Sequence, residues 1–244
     1  MSDFNRAYAP SADMSVDAGL RAFMLGVYNK VALGLVVSAA LAYLTGTFPP
    51  VRDLMFQVRA DGRVGMTILG MIVAFAPLGL IMFGFTRSAT PRSSGILYWT
   101  IVALIGASFG DVVLFYTGTT IATTFLIAAS TFGVLSLVGY TTKRDLTGLR
   151  SFLIMGVFGL LAAMVVSIFV QSGVLEFIIS CAGVLIFSGL IAANTQRLKM
   201  TYYQLGGNAT ALGVATNFGA LQLYLNFINL FQFLLMLVGG GGRR

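Results

Sequence analysis

Histidine is missing from all 244 residues, and Cys181 is the single cysteine. The first absence removes the commonest transition-metal ligand and the one side chain that titrates unperturbed near neutrality. The second rules out an intramolecular disulfide and any multi-cysteine metal centre. Charge is scarce as well: 9% of residues carry one, against about a quarter in an ordinary soluble domain. No GxxxxGKS phosphate loop or HExxH occurs, and the last span holds no lysine for a Schiff base. Only one aspartate lies within an apolar run, so paired-aspartate proteolysis has no second carboxylate. These gaps predict a protein that is not an enzyme and holds no cofactor or metal.

What fills the chain is hydrocarbon. Hydrophobic residues make up 57% of it, and the mean hydropathy is +0.90. Apolar stretches fall at about 22–46, 66–86, 96–117, 119–140, 151–172, 175–194 and 210–238, each near the roughly 20 residues that a helix needs to span a bilayer. A transmembrane barrel would show alternating segments of about ten residues instead. The expectation is an all-α polytopic membrane protein: a cytoplasmic tail over 1–21, a seven-helix membrane domain over 22–238, and a short carboxyl-terminal tail over 239–244. The first twenty residues are polar and no cleavable leader is expected ahead of the first span.

Ten of the 15 Lys and Arg residues fall on the side of the amino terminus, among them Arg21, Lys30, Arg87, Lys143, Arg144, Arg150, Arg197 and Lys199. The positive-inside bias therefore predicts a cytoplasmic amino terminus and a periplasmic carboxyl terminus. The net charge of +7 is then mostly topology, and no nucleic-acid partner is expected because the cations are scattered over short loops. Small-residue pairs, Gly106 with Gly110 and Gly159 with Ala163, predict close helix approach in lipid. Pro77 predicts a kink in the second span.

Polar groups within spans are the candidates for function, since lipid cannot satisfy them. In LQLYLNFINLFQFLLML, residues 221–237, Gln222, Asn226 and Asn229 recur at helical spacing, with Gln232 three further on a face that rotates. That stripe is expected to face the bundle interior, either as interhelical glue or as the lining of a conduit. Asn194, Thr195 and Gln196 lead into Arg197 and Lys199 at the end of the sixth span; Asn194 gains meaning if it points toward the stripe. Asp111 is either an intramembrane acid or an interfacial one, if the third span ends at Gly110. Glu176 suits a helix amino terminus.

Three segments in order, TTFLIAASTFGVLSLVGYTTKRDLTGL (123–149), GVLIFSGLIAANTQRLK (183–199) and LQLYLNFINLF (221–231), resemble the Bax inhibitor-1 family. The resemblance covers the chain from about the first span to the end. It implies seven helices with the seventh surrounded by the others, in the inner membrane of a bacterium. It further implies a cation pathway, usually a calcium leak, protection against stress-induced cell death in eukaryotic relatives, and in some bacterial relatives contact with a membrane-bound ATP-dependent protease. The family's pH switch is a pair of aspartates, which by position fall on Asn194 and Asn226, with Arg87 as the arginine counterpart. Both positions are amides here. Amides do not titrate and bring no negative charge to a divalent cation, so the resemblance implies a leak whose di-aspartyl switch is lost. A non-conducting adaptor, using the loop TTKRDLTGLR, is the alternative.

Overall fold

A hydrocarbon surrounding dictates helix, because every backbone amide must be satisfied within its own segment. A computed structural model describes residues 18–58, 64–83 and 89–239, and helices dominate them. They are α1 (Ala18–Thr47), α2 (Pro49–Met55), α3 (Ile68–Phe83), α4 (Pro91–Ser108), α5 (Gly110–Phe115), α6 (Gly118–Thr141), α7 (Thr147–Val170), α8 (Gly173–Gln204) and α9 (Ala209–Gly239). By length and composition six helical segments can cross a membrane: α1, α4 with α5, α6, α7, α8 and α9; α3 is shorter but equally apolar. The protein is an all-α polytopic membrane protein. Residues 1–17, including most of the expected tail, Arg87 and the last five residues lie outside the described residues.

The link after α1, expected as a loop, is built. Pro49 and Pro50 open α2, using the first-turn positions where proline forfeits no hydrogen bond. A short antiparallel ribbon follows, β1 (Phe56–Val58) against β2 (Val64–Met66), with Phe56 opposite Met66. Phe56 is buried there, its ring 2.8 Å from where a Cβ on Gly110 would stand.

Glycines set how closely helices approach. A Cβ on Gly106 would lie 2.6 Å from the Ser38 Cα, and one on Gly46 would meet the Gly110 carbonyl at 2.8 Å. The expected Gly106 and Gly110 pair therefore seats α4 and α5 against α1. Gly159 corrects the second expectation: a side chain there meets nothing within 4 Å, because that face of α7 turns away from the protein. Gly156 takes the packing role instead, against Ile186 of α8.

The third span breaks at Phe109, whose amide reaches back to Gly106 and Ile105 before α5 begins. Close approach of Gly110 to Thr45 and Gly46 fixes the break beside the end of α1. At the other end of the chain, α9 packs against α8, α1, α6 and α4, whereas α7 packs chiefly against α8. The largest fully buried side chains, Tyr98, Tyr224 and Phe227, lie on α4 and α9.

Candidate functional site

The sixth span extends ten residues past its expected end. Its polar tail, NTQRLKMTYYQ, stays helical to Gln204, because it lies along the protein instead of fraying into a loop. Asn194 Oδ1 accepts a hydrogen bond from Arg150 Nε at 2.9 Å. Gln196 holds both sides of the α6–α7 loop, accepting from the Leu146 amide at 2.8 Å and donating to the Arg144 carbonyl at 2.7 Å. Lys199 Nζ donates to the Tyr140 carbonyl at 3.0 Å, and its ammonium lies 5.4 Å from the Tyr140 ring centre. Three side chains from one helix thus clasp the loop and the helices on either side of it.

Arg150 is the partner that the sequence reading missed. Its place in TTKRDLTGLR made it look like one more positive-inside anchor, and nothing local distinguishes it from Arg144. Arg197 stands close enough to repel it, and the one ion pair among the described residues is Arg52 with Asp53 at 3.0 Å. The clasp is therefore cationic, held by amides and not by carboxylates.

Asn226 is buried at 6% exposure, and its Nδ2 has no hydrogen-bond partner. No hydrogen bond joins it to Asn194. The geometry of the α8–α9 hairpin explains the separation: Gly219 packs on Leu198 and Phe233 on Gly183, which sets Asn226 opposite Leu190 and Ile191. That is about one helical turn from the level of Asn194.

The expected stripe divides. Gln222 is half-buried and lines a groove of about 790 Å³ with Arg197, Thr201, Asn208 and Ile81. Asn229 donates its Nδ2 to the Leu225 carbonyl at 2.8 Å, closing on its own helix. Gln232 is exposed, so the stripe does not face inward along its whole length. At 3.6 residues per turn, ten residues carry Gln232 roughly 80° away from Gln222. Asp111 sits in the first turn of α5, its carboxylate accepting the Val112 amide at 2.7 Å, beside the end of α1. Glu176 occupies the first turn of α8, whose amino-terminal cap is Ser172.

Other polar contacts tie α9 into the bundle. The Tyr224 hydroxyl pairs with Ser38 Oγ at 2.6 Å, and Ser38 also donates to the Val102 carbonyl at 3.1 Å. Tyr98 donates to the Lys30 carbonyl at 2.5 Å. Asn217, which the sequence reading did not single out, donates its Nδ2 to Ser94 Oγ at 2.8 Å and to the Pro91 carbonyl at 2.9 Å. Against these satisfied groups stand five buried atoms without a partner among the described residues: Thr124 Oγ1, Ser136 Oγ, Thr195 Oγ1, Asn217 Oδ1 and Asn226 Nδ2.

A helical bundle that hides amides and hydroxyls while showing leucine and phenylalanine outward belongs to the class of multi-span integral membrane proteins. Residues 20–243 match the family model Bax1-I, described as inhibitor of apoptosis-promoting Bax1, and the chain belongs to this Bax inhibitor-1 family. It is 64% identical to a protein of Caulobacter vibrioides over 98% of this chain and 99% of that one. It is 41% identical to protein RP147 of Rickettsia prowazekii, covering 94% of each. The inner membrane protein YbhL of Escherichia coli K12 is 34% identical over 94% of this chain and 97% of its own length.

Proposed function

We propose that this chain is a cation-leak or transport member of its family, set in a bacterial inner membrane, in which an amide-and-arginine clasp stands where relatives carry a di-aspartyl switch. In this reading α3 is a further span, giving seven, with α9 at the centre, the amino terminus cytoplasmic and the carboxyl terminus periplasmic. The path follows α9 from the groove at Gln222 and Arg197 toward Asn226. One observation carries the proposal: the Asn226 amide is buried without a partner on the helix that is itself most enclosed. An unsatisfied buried amide costs about 1–3 kcal/mol, a penalty that water in a narrow passage relieves.

The clasp supplies the gate. Arg150 on Asn194 ties α7 to α8, and neither group changes protonation across the physiological range. Without a carboxylate the passage has little preference for calcium over other cations, because a hard divalent ion selects several charged oxygens. Flux from proteoliposomes at pH 6 and pH 8 tests this: the natural chain should leak equally at both. The pair Asn194→Asp with Asn226→Asp should introduce pH dependence, and Arg150→Gln should raise flux at both values. Strong pH dependence in the natural chain would overturn the lost-switch reading.

The adaptor reading has its own support. Lys143 and Arg144 are exposed on a loop held in one shape by Gln196 and Lys199, a rigid basic surface suited to an acidic partner such as a membrane-bound ATP-dependent protease. Cross-linking from Lys143 that recovers only copies of this chain counts against it.

A further inference from the structure

A crevice of about 840 Å³ opens between α1 and α6, with Phe227 of α9 at its back. Its walls are apolar, and Leu25, Val36, Phe125 and Leu137 on them are exposed. One end differs. There Arg21, Tyr28, Ser136 and Tyr140 line the opening, with the Lys199 ammonium beside the Tyr140 ring. Among the described residues no acidic side chain lines it.

The dimensions fit one occupant. From Arg21 to Val36 the wall rises about 22 Å at 1.5 Å per residue, more than half of a hydrocarbon core roughly 30 Å thick. A chain entering at the Arg21 end therefore runs past the bilayer midplane. Basic pockets between membrane helices on the cytoplasmic side take anionic head groups; the orientation proposed above puts the Arg21 end on that side, where Arg21 lines the opening and the Lys199 ammonium stands behind Tyr140. Ser136 Oγ, buried beside the Tyr28 hydroxyl, places a hydroxyl just below, at the depth of ester oxygens. We propose that this crevice is a binding site for one anionic phospholipid, its phosphate at Arg21 and Tyr140 and one acyl chain laid along α6 against Phe227. The site needs α1 and α6 to cross the bilayer but needs no open pore, so it can fail or stand independently of the leak.

Two glycines make the test. A side chain at Gly133 projects into open space in the crevice, and one at Gly159 projects into open space on the outer face of α7. The full chain, purified and mixed with phosphatidylglycerol or phosphatidylcholine, is examined by native mass spectrometry for lipid that survives collisional heating. The natural chain should keep one phosphatidylglycerol in preference to phosphatidylcholine. Gly133→Leu should abolish that retention, Gly133→Ala should reduce it, and Gly159→Leu should leave it intact. Arg21→Gln should lower retention about fivefold, the loss expected for one cation at a head group. Equal retention of the two lipids, or full retention by Gly133→Leu, overturns the proposal, as does detergent remaining in place of phospholipid. If Gly133→Leu does not yield monodisperse protein, Gly133→Ala decides: retention equal to the natural chain overturns the site.

Discussion

Helices α7 and α9 are both apolar enough to span a membrane, yet 11% of the most apolar stretch of α7 is buried against 56% of that of α9. The more hydrophobic helix is the more exposed one. In water the reverse would hold; in lipid, hydrocarbon gains nothing from leaving hydrocarbon, and helices associate through close packing and hydrogen bonds. Phe152, Phe158 and Phe169 of α7 accordingly face outward, while α9 turns Asn217, Tyr224 and Asn226 toward the protein. The serines of α7 bond to their own helix, Ser151 to the Thr147 carbonyl and Ser167 to the Met164 carbonyl at 2.7 Å. The Tyr224 hydroxyl of α9 reaches across to Ser38 of α1.

The sharpest way to break this contrast is to add bulk. Gly183→Val forces a side chain into the Phe233 ring, and overpacking at the α8–α9 seam should cost about 3 kcal/mol. Gly159→Val on α7 should stay within about 0.5 kcal/mol of the natural chain. Thermal unfolding in detergent, followed by loss of monodisperse protein, reads both.

Removing one cross-helix bond should have a smaller effect. Tyr224→Phe loses the contact with Ser38, for about 1 kcal/mol of destabilisation, while Ser167→Ala on α7 should be silent in the same melt. Asn226→Leu goes the other way: an amide without a partner is exchanged for an apolar group of similar size, so stability should hold or rise slightly. A loss above about 1 kcal/mol there would mean that the amide has a partner, and the wet-passage reading would fall.

The smallest effect is at the loop before α7. The Asp145 carboxyl accepts from the Thr147 amide at 2.8 Å, and its hydrogen bonds to Thr147 hold its pKa below the usual carboxylate value. A depressed folded pKa gives stability that is present above the unfolded value and disappears as pH falls through the folded one. Amide exchange at Thr147 should therefore quicken only in acid below the ordinary aspartate range, with Asp145→Asn insensitive to that change.

The helices were legible in the sequence because a run of apolar residues has one outcome in a bilayer. Gly106 and Gly110 were legible for the same reason, as small residues where helices cross. Less could be read where polarity marked something other than an edge. NTQRLKMTYYQ looked like the way out of the membrane, and its helical course follows from partners some 50 residues earlier. Arg150 carried no local sign of its bond to Asn194, since charge at a span's edge has a simpler reading. Gln232 shared the spacing of the other amides but not their direction, because 3.6-residue periodicity drifts over three turns. The resemblance to the family led to positions 194 and 226 but could not supply their neighbours.

The burial of α9 has a consequence in time as well as space. It is made after the other described helices, and α1, α4, α6 and α8 all pack on it. At roughly 5–20 residues per second, α1 waits on the order of ten seconds or more in the bilayer before the segment that completes its contacts leaves the ribosome. Until then Ser38 has no Tyr224, and Ser94 has no Asn217. Before α9 is made, the nascent helices hold these hydroxyls in the bilayer without those partners, and insertion machinery or lipid can stand in for them.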